Sequence, residues 1–288
     1  MQSPNANYLD ITIPKPFVKW AGGKRQLVST LAENLPKSFG TYFEPFLGGG
    51  ALFFYILTRQ NKQRCNISDL NSDLITTYIT IRDKVDELVS SLKNHEKHYQ
   101  KDSKTYYYAI RQNNPKDSIE RASRLLFLNR TCFNGLYRVN SKGMFNVPLG
   151  SYTKPKIVNE ENLRAVNNIL QSHDISIRYR DFADILDDVR ENDLVYFDPP
   201  YQPISATASF TSYTSNDFTT NDLDRLYVLC QKLDSKGCKV MLSNSDSEKV
   251  FEMFSHKPWK ICKVSAMRAI NSDSKKRTGH FELLIKNY

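Results

Sequence analysis

The chain shows no C-x-x-C spacing among its five cysteines, which stand apart at Cys65, Cys132, Cys230, Cys238 and Cys262. An odd, scattered set excludes a disulfide framework and offers no zinc-ligand pattern, so buried free thiols are expected. Nowhere does it approach the roughly 18 consecutive apolar residues of a membrane-spanning helix. Its opening, Met1-Gln2-Ser3-Pro4-Asn5, lacks the basic start and apolar block of a signal peptide. A soluble, cytoplasmic protein is the expectation. Internal repeats and low-complexity linkers are missing, and no segment fits G-x-x-x-x-G-K-[ST], which disfavours a P-loop nucleotidase.

What is present is a chain of 288 residues, 40% apolar and 12% aromatic, ample for one large or two small packed domains. The net charge of +9 is unevenly spread. Between Ile81 and Arg164, 16 lysines and arginines stand against 9 aspartates and glutamates, so this stretch carries +7 of the total. A local basic excess suits a polyanion, because neutralising phosphates releases counterions. A solvated helical face is the other reading of the same charge.

From Thr41 to Asp73 the pattern reads as a short strand ending at Glu44, a glycine turn (Gly48, Gly49, Gly50), an apolar helix through Leu57 and a second strand ending at Asp69. That order is the first half of a nucleotide-binding α/β sheet. It resumes after residue 170, with strands predicted at Ile175 to Asp181, Leu194 to Phe197 and Cys238 to Asn244. Leu223, Leu226, Tyr227, Cys230 and Leu233 recur at helical spacing and predict a crossover helix. Lys260 to Met267 and Phe281 to Ile285 are expected to pair antiparallel around the polar loop Asn271 to Gly279. The fold class is therefore α/β: a Rossmann-like, mostly parallel sheet with an antiparallel edge. Residues 1–80 and 165–288 form its discontinuous catalytic domain, and 81–164 form an inserted, largely helical domain with a β-hairpin.

Four constellations carry chemistry. In Glu44-Pro45-Phe46-Leu47-Gly48-Gly49-Gly50 the glycines let the backbone approach a ligand, and Asp69 lies at the spacing where such folds place an acid against a ribose. The pair points to an adenosine-containing ligand, although glycine turns also serve packing alone. Phe17-Val18-Lys19-Trp20-Ala21-Gly22-Gly23-Lys24 supplies two lysines and a tryptophan that either close over a nucleoside and contact DNA, or form an arm packed on the core.

Asp198-Pro199-Pro200-Tyr201 follows the buried strand Leu194 to Phe197. An exocyclic amine on a base is a poor nucleophile, because its lone pair is delocalised into the ring. A carboxylate and the Pro199 carbonyl accepting its two hydrogens return electron density to nitrogen. The prolines stiffen the turn, and Tyr201 offers a stacking face. A base inside a duplex has to be flipped out to reach such a site. The fourth segment, Asn129 to Gly150, carries Arg130, Phe133, Asn134, Leu136, Arg138 and Asn140 around an Asn-Gly turn, and reads as a hairpin that enters DNA or as a plain surface hairpin.

Taken together, these motifs resemble the Dam family of DNA adenine-N6 methyltransferases, which modify GATC using S-adenosylmethionine. The likeness runs from the Lys19 to Lys24 block through Glu44 to Gly50, Asp69 to Leu74, Asn134 to Asn140, Phe145 to Pro148, Asp198 to Tyr201, Ile204 to Ala208 and Ser243-Asn244. Their order is similar to that of the alpha group of amino-methyltransferases. The resemblance implies that Trp20, Lys24, Glu44, Phe46, Gly48, Gly50, Asp69, Asp181, Phe182 and Asp198 bind the cofactor. It assigns Asp198, Pro199, Pro200 and Tyr201 to catalysis. It further implies that Lys19, Arg130, Phe133, Asn134, Leu136, Arg138 and Asn140 contact DNA, with Phe133 intercalating. Double-stranded DNA is the implied partner, with a restriction endonuclease acting separately as a further candidate. No metal is implied, since transfer from a sulfonium needs alignment and not Lewis-acid activation. Phe133, Tyr137 and Ile204 depart from the family pattern, where a tyrosine, a small residue and a leucine are expected. Two rival readings remain open on the residues: an amino-methyltransferase for cytosine N4 or a glutamine amide, and a DNA-binding module that keeps the fold without turnover.

Overall fold

Seven strands form one sheet in the order β3-β2-β1-β4-β5-β7-β6. The computed structural model describes residues 14–60, 63–201, 218–266 and 280–288. The strands are β1 (Tyr42–Glu44), β2 (Cys65–Asp69), β3 (Ile175–Tyr179), β4 (Leu194–Phe197), β5 (Lys239–Ser245), β6 (Lys260–Ala266) and β7 (His280–Lys286). The first five pair in parallel, and β7 runs antiparallel to both β5 and β6. The mostly parallel sheet with an antiparallel edge is thus as the sequence patterns predict. The expected loop 271–279 and the segment Ile204 to Ala208 fall outside the described residues.

Successive strand residues point to opposite faces, and the two faces bury different sets. Tyr42, Leu194, Tyr196, Met241 and Leu284 pack on one side, while Phe43, Val195, Phe197, Val240, Leu242, Leu283 and Ile285 pack on the other. All four residues of β4 are buried, as befits a central strand covered on both faces. The second face is covered by α8 (Thr220–Ser235), through Leu223, Leu226, Cys230 and Leu233, and by α9 (Glu248–Phe254). Thr219 and Asp222 start α8 with a reciprocal capping box.

The first face carries α2 (Ala51–Arg59), α3 (Ser72–Asp83) and the helices that follow, α4 (Val85–Lys101), α5 (Ser103–Gln112), α6 (Ser118–Thr131) and α7 (Glu160–Ser172). A short α1 (Val28–Glu33) lies before β1. Leu88, Leu92, Tyr107 and Phe127 of the predicted insert belong to the same apolar cluster as Tyr42 and Tyr196. The basic stretch therefore shares a core with the sheet. Asn167, on α7 just beyond the stretch, donates from Nδ2 to the carbonyls of Ile81 and Arg82 at its start, at 2.9 and 2.8 Å.

The predicted hairpin at Asn129 to Gly150 takes the form of an irregular excursion. Asn129 to Thr131 end α6, and a single 3-10 turn follows at Phe133–Gly135. Isolated antiparallel bridges then join Cys132 to Leu149 and Val139 to Phe145. Asn134 (φ 55°) and Gly135 (φ 66°) are both left-handed, which turns the chain too sharply for a continuous ladder at that end.

The chain leaves β1 toward β2 and β3 on one side, and returns through β4 to β5 on the other. The carboxyl ends of β1 and β4 therefore flank a crevice at a topological switch point, the general location of ligand sites in open α/β sheets.

Candidate active site

The turn from β1 into α2 is held open by glycine geometry. Gly48 (φ 48°) and Gly50 (φ 64°) are left-handed, and Gly50 is the N-cap of α2. A Cβ on Gly48 would lie 2.8 Å from Trp20 Cδ1, and one on Gly50 would lie 2.7 Å from the Tyr78 hydroxyl. Asp69, at the end of β2, braces this turn: the Gly48 amide donates to its Oδ2 at 2.9 Å and the Asn71 amide to its Oδ1 at 2.8 Å. The Tyr78 hydroxyl donates to the Gly48 carbonyl at 3.2 Å. Burial pushes the Asp69 carboxyl up to about 6 against these amide bonds. Each carboxylate oxygen has a further lone pair, so a ribose hydroxyl remains within its accepting capacity.

Glu44 ends β1 fully enclosed and accepts the Tyr42 hydroxyl on Oε2 at 2.7 Å. Burial raises its carboxyl to about 8, opposed by the Tyr42 hydrogen bond and reinforced by the charge of Asp198. Burial thus disfavours its ionised form, while the Tyr42 hydrogen bond favours it.

Asp198 emerges at the end of β4 beside the N-terminal lysine block. Lys24 Nζ lies 2.7 Å from Asp198 Oδ1, donates to the Gly22 carbonyl at 2.7 Å and sits 4.8 Å from the centre of the Tyr201 ring. The Tyr201 hydroxyl donates to Glu282 Oε2 at 2.7 Å, and that carboxylate lies 3.8 Å from Lys24 Nζ. Burial pushes the Asp198 carboxyl up to about 6, with Lys24 pulling it down and Glu282 adding to the rise. Tyr196 and Ser243 share a 3.0 Å hydrogen bond beneath this group, linking β4 to β5.

The aromatic side of the crevice is built from Phe46, which stacks on Phe182 with ring centres 5.1 Å apart. Phe182 is buried, and the Arg225 guanidinium lies 4.8 Å over its ring. Asp181 caps the following 3-10 turn through the Ala183 amide at 2.9 Å and pairs with Arg225 Nη2 at 2.7 Å. Asp181 and Phe182 are thus shaped by a cation from α8 that the sequence patterns did not connect to them.

On the basic side, Asn129 forms a clamp. Its side chain accepts from the Lys19 amide at 2.8 Å and donates to the carbonyls of Lys19 and Gly135, at 2.8 and 3.0 Å. Trp20 stacks on Tyr137 at 5.2 Å, and Lys19 Nζ lies 5.4 Å from the Tyr152 ring centre. The cofactor-side block and the 133–138 loop are therefore one packed unit. Within it Phe133, Asn134 and Asn140 are exposed, while Leu136 and Arg138 are half-buried. Arg138 Nε donates to Asn146 Oδ1 at 2.7 Å. The Asn140 side chain accepts the amides of Lys142 and Met144, both at 3.0 Å, and so shapes the tip. Arg130 points inward instead, donating to the Phe17 carbonyl at 2.8 Å.

Three participants escaped the sequence patterns. Glu282 heads the apolar run Leu283-Leu284-Ile285, where an acid at a strand's start is only a weak signal. Arg225 and Asn129 lie on helices whose polar residues look alike in one dimension. Among the described residues, no group of three or more histidines, cysteines or acids is arranged to hold a metal, and no helix is long and apolar enough to cross a membrane.

Known proteins resemble this chain over most of its length. Residues 20–270 match the family described as D12 class N6 adenine-specific DNA methyltransferase. The chain is 43% identical over 289 residues to a type II methyltransferase, M.MjaIII, of Methanocaldococcus jannaschii, covering 95% of this chain and 99% of that protein. It is 41% identical over 280 residues to the type II methyltransferase M1.LlaDCHI of Lactococcus lactis, covering 95% of each. It is 32% identical over 273 residues to a DNA adenine methylase of Escherichia coli, covering 94% of this chain and 95% of that one. The chain belongs to the D12 class of N6 adenine-specific DNA methyltransferases, which use S-adenosylmethionine as methyl donor.

Proposed function

We propose that this D12-class methyltransferase modifies adenine N6 within GATC in duplex DNA, and that it does so on an adenine flipped out of the helix. The observation that carries the reading is the grouping of Lys24, Asp198 and Tyr201 at the end of β4, with Asp198 Oδ1 2.7 Å from Lys24 Nζ. GATC rests on the resemblance of the Asn134 to Asn140 segment to the Dam family, and flipping rests on the partial burial of Asp198 at the end of β4, where a base held in a duplex would not reach it.

The residues present fit the cofactor. At Gly48 and Gly50 a side chain would collide, so the backbone there stays open to a ligand. Phe46 is a half-buried ring beside that turn, and Glu44, Asp69 and Asp198 supply acidic groups around it. Bound S-adenosylmethionine supplies an electrophilic methyl group on a sulfonium. Trp20, Lys24, Glu44, Phe46, Gly48, Gly50, Asp69, Asp181 and Phe182 are the proposed cofactor contacts.

In this reading Asp198 and the Pro199 carbonyl accept the two amino hydrogens, turning the nitrogen lone pair outward for in-line attack. Pro199 and Pro200 keep that acceptor pair stiff. The Tyr201 face stacks on the extruded base, offsetting the few kcal/mol of unstacking. Exposed Phe133 fills the space the base leaves, and Lys19, Asn134, Leu136, Arg138 and Asn140 read or brace the flanking pairs. Arg130 supports this face through the Phe17 backbone. Residues 81–164 are the proposed recognition unit. A separately acting restriction endonuclease belongs to the same proposal, supported by the type II naming of two relatives.

The test is transfer of labelled methyl from S-adenosylmethionine to duplexes containing GATC or a scrambled site, beside an Asp198→Ala control. Label on adenine of GATC alone, lost in the control, is the expected result. Label on both duplexes removes the sequence assignment, and label on cytosine after digestion removes the adenine assignment.

A further inference from the structure

We propose that Glu282 is a positioning residue of the methyl-transfer site: it holds the Tyr201 ring through its hydroxyl and gives Lys24 a second anionic partner, leaving Asp198 able to accept the target amine. The inference deepens the proposed function and rests on its placement of Asp198 and Tyr201.

Glu282 reaches the site from β7, an antiparallel strand remote in sequence from every motif described above. It pairs across the backbone with Ser245 of β5 and Val264 of β6, at the end of β7 that lies beside the carboxyl ends of the parallel strands. The next three residues, Leu283, Leu284 and Ile285, are fully buried, so the backbone that carries Glu282 is anchored in the core. Its Oε2 accepts the Tyr201 hydroxyl at 2.7 Å and lies 3.8 Å from Lys24 Nζ.

Two problems of the site are met by this arrangement. Tyr201 needs a defined ring plane to stack on a base, yet it follows two prolines at the end of a turn. A hydroxyl bonded to a carboxylate, a charge-assisted contact, restrains that plane. Lys24 presents a harder problem, because its ammonium holds Asp198 Oδ1 at 2.7 Å and so competes with a target amine for the same carboxylate. A buried cation left with no anionic partner carries a large desolvation penalty. With Glu282 within 3.8 Å, Lys24 keeps a carboxylate partner while Asp198 turns to the amine. An acid serving only to stabilise β7, an interior strand paired on both sides, would have no reason to face both groups.

The experiment uses the full chain and a GATC duplex at saturating S-adenosylmethionine, comparing the unaltered protein with Glu282→Ala, Glu282→Gln, Tyr201→Phe and the Glu282→Ala/Tyr201→Phe double variant. Glu282→Ala is expected to lower kcat about tenfold, with KM for DNA changed by less than about threefold. Glu282→Gln retains an acceptor for the hydroxyl and is expected to fall between the two. The double variant is expected to fall no further than Glu282→Ala, because the two groups act as one unit. An unchanged kcat in Glu282→Ala, or losses that multiply in the double variant, would overturn the inference. So would a lower melting temperature in Glu282→Ala with kcat per folded molecule unchanged, which is the signature of a purely structural acid. No transfer by the unaltered protein to any DNA would instead remove the proposed function, and this inference with it.

Discussion

Lys24 Nζ lies 2.7 Å from Asp198 Oδ1, joining the N-terminal lysine block to the end of β4 across most of the chain. This pair opposes the burial that raises the Asp198 carboxyl to about 6. The ionised Asp198 carboxylate is a stronger acceptor than the protonated acid for the amine hydrogen it takes beside the Pro199 carbonyl, so kcat/KM is expected to fall as pH drops through about 6. Lys24→Met removes the opposing charge and should move that acid limb to higher pH. A pH–rate profile for the two proteins checks both statements, and an unmoved limb would show that another group titrates.

Glu44, Asp69 and Asp198 also make stability depend on pH. Their carboxyls are raised to about 8, 6 and 6, above the ordinary carboxylate range. Between the ordinary and raised values the folded chain holds protons that the unfolded chain has released. Their stabilising contribution is full in acid and lost as pH rises through the raised values. Without cofactor, the melting temperature should therefore decline from about pH 5 to about pH 8, and Glu44→Gln should flatten the upper part of that decline. A thermal-melt series across pH checks the slope.

Gly48→Ala combines a left-handed backbone, costing about 1–2 kcal/mol for a residue with a Cβ, with a contact 2.8 Å from Trp20 Cδ1. Cofactor affinity should drop by on the order of tenfold or more while the fold persists. Calorimetric titration with S-adenosylmethionine reads this directly, and unaltered affinity would detach the glycine turn from the cofactor.

Arg138→Ala removes a side chain that bonds Asn146 at 2.7 Å and should relax discrimination at one flanking base pair by about 1–3 kcal/mol. Cofactor affinity should stay unchanged. Asn129→Ala releases the Lys19 backbone and the Gly135 carbonyl together, and should lower stability by about 2 kcal/mol as well as relaxing discrimination. Methylation rates on duplexes altered at each flanking position, with parallel melts, separate the two effects.

Phe133 is 49% exposed, so Phe133→Ala should leave the melting temperature unchanged. Its loss should slow methylation of a fully paired site, and a mispaired target adenine should restore much of the rate, because less unstacking is then required. Equal losses on paired and mispaired substrates would count against a wedge.

Much of the fold was legible in one dimension. The run Leu194 to Phe197 matches β4 residue for residue, since a continuous apolar stretch ending in Asp-Pro-Pro leaves little freedom for the boundary. The leucine spacing on α8 and the antiparallel pair β6 and β7 were equally readable. The loop at Phe133–Gly135 was harder, because its hairpin character depended on where bridges closed across Cys132 and Leu149. Arg130 illustrates a related difficulty. An arginine beside an exposed motif looks available for DNA, and only packing against Phe17 reveals its inward use.

The sequence by itself determined the local chemistry: the glycines that free the backbone at 48 and 50, the prolines that stiffen the acceptor turn, and the apolar run that buries β4 on both faces. These follow from steric and hydrophobic rules acting over a few neighbouring residues. Only the tertiary structure decided which charges meet. Lys24, the Asp198 to Tyr201 turn and Glu282 come from three separate parts of the chain, and Asn129 reaches back 110 residues to clamp Lys19. The protonation of Glu44 and Asp198 belongs to the same class, because it depends on burial and on partners delivered by distant strands. Electrostatic free energy is set by distance and solvent exclusion in three dimensions, and neither quantity is written in the spacing of residues along the chain.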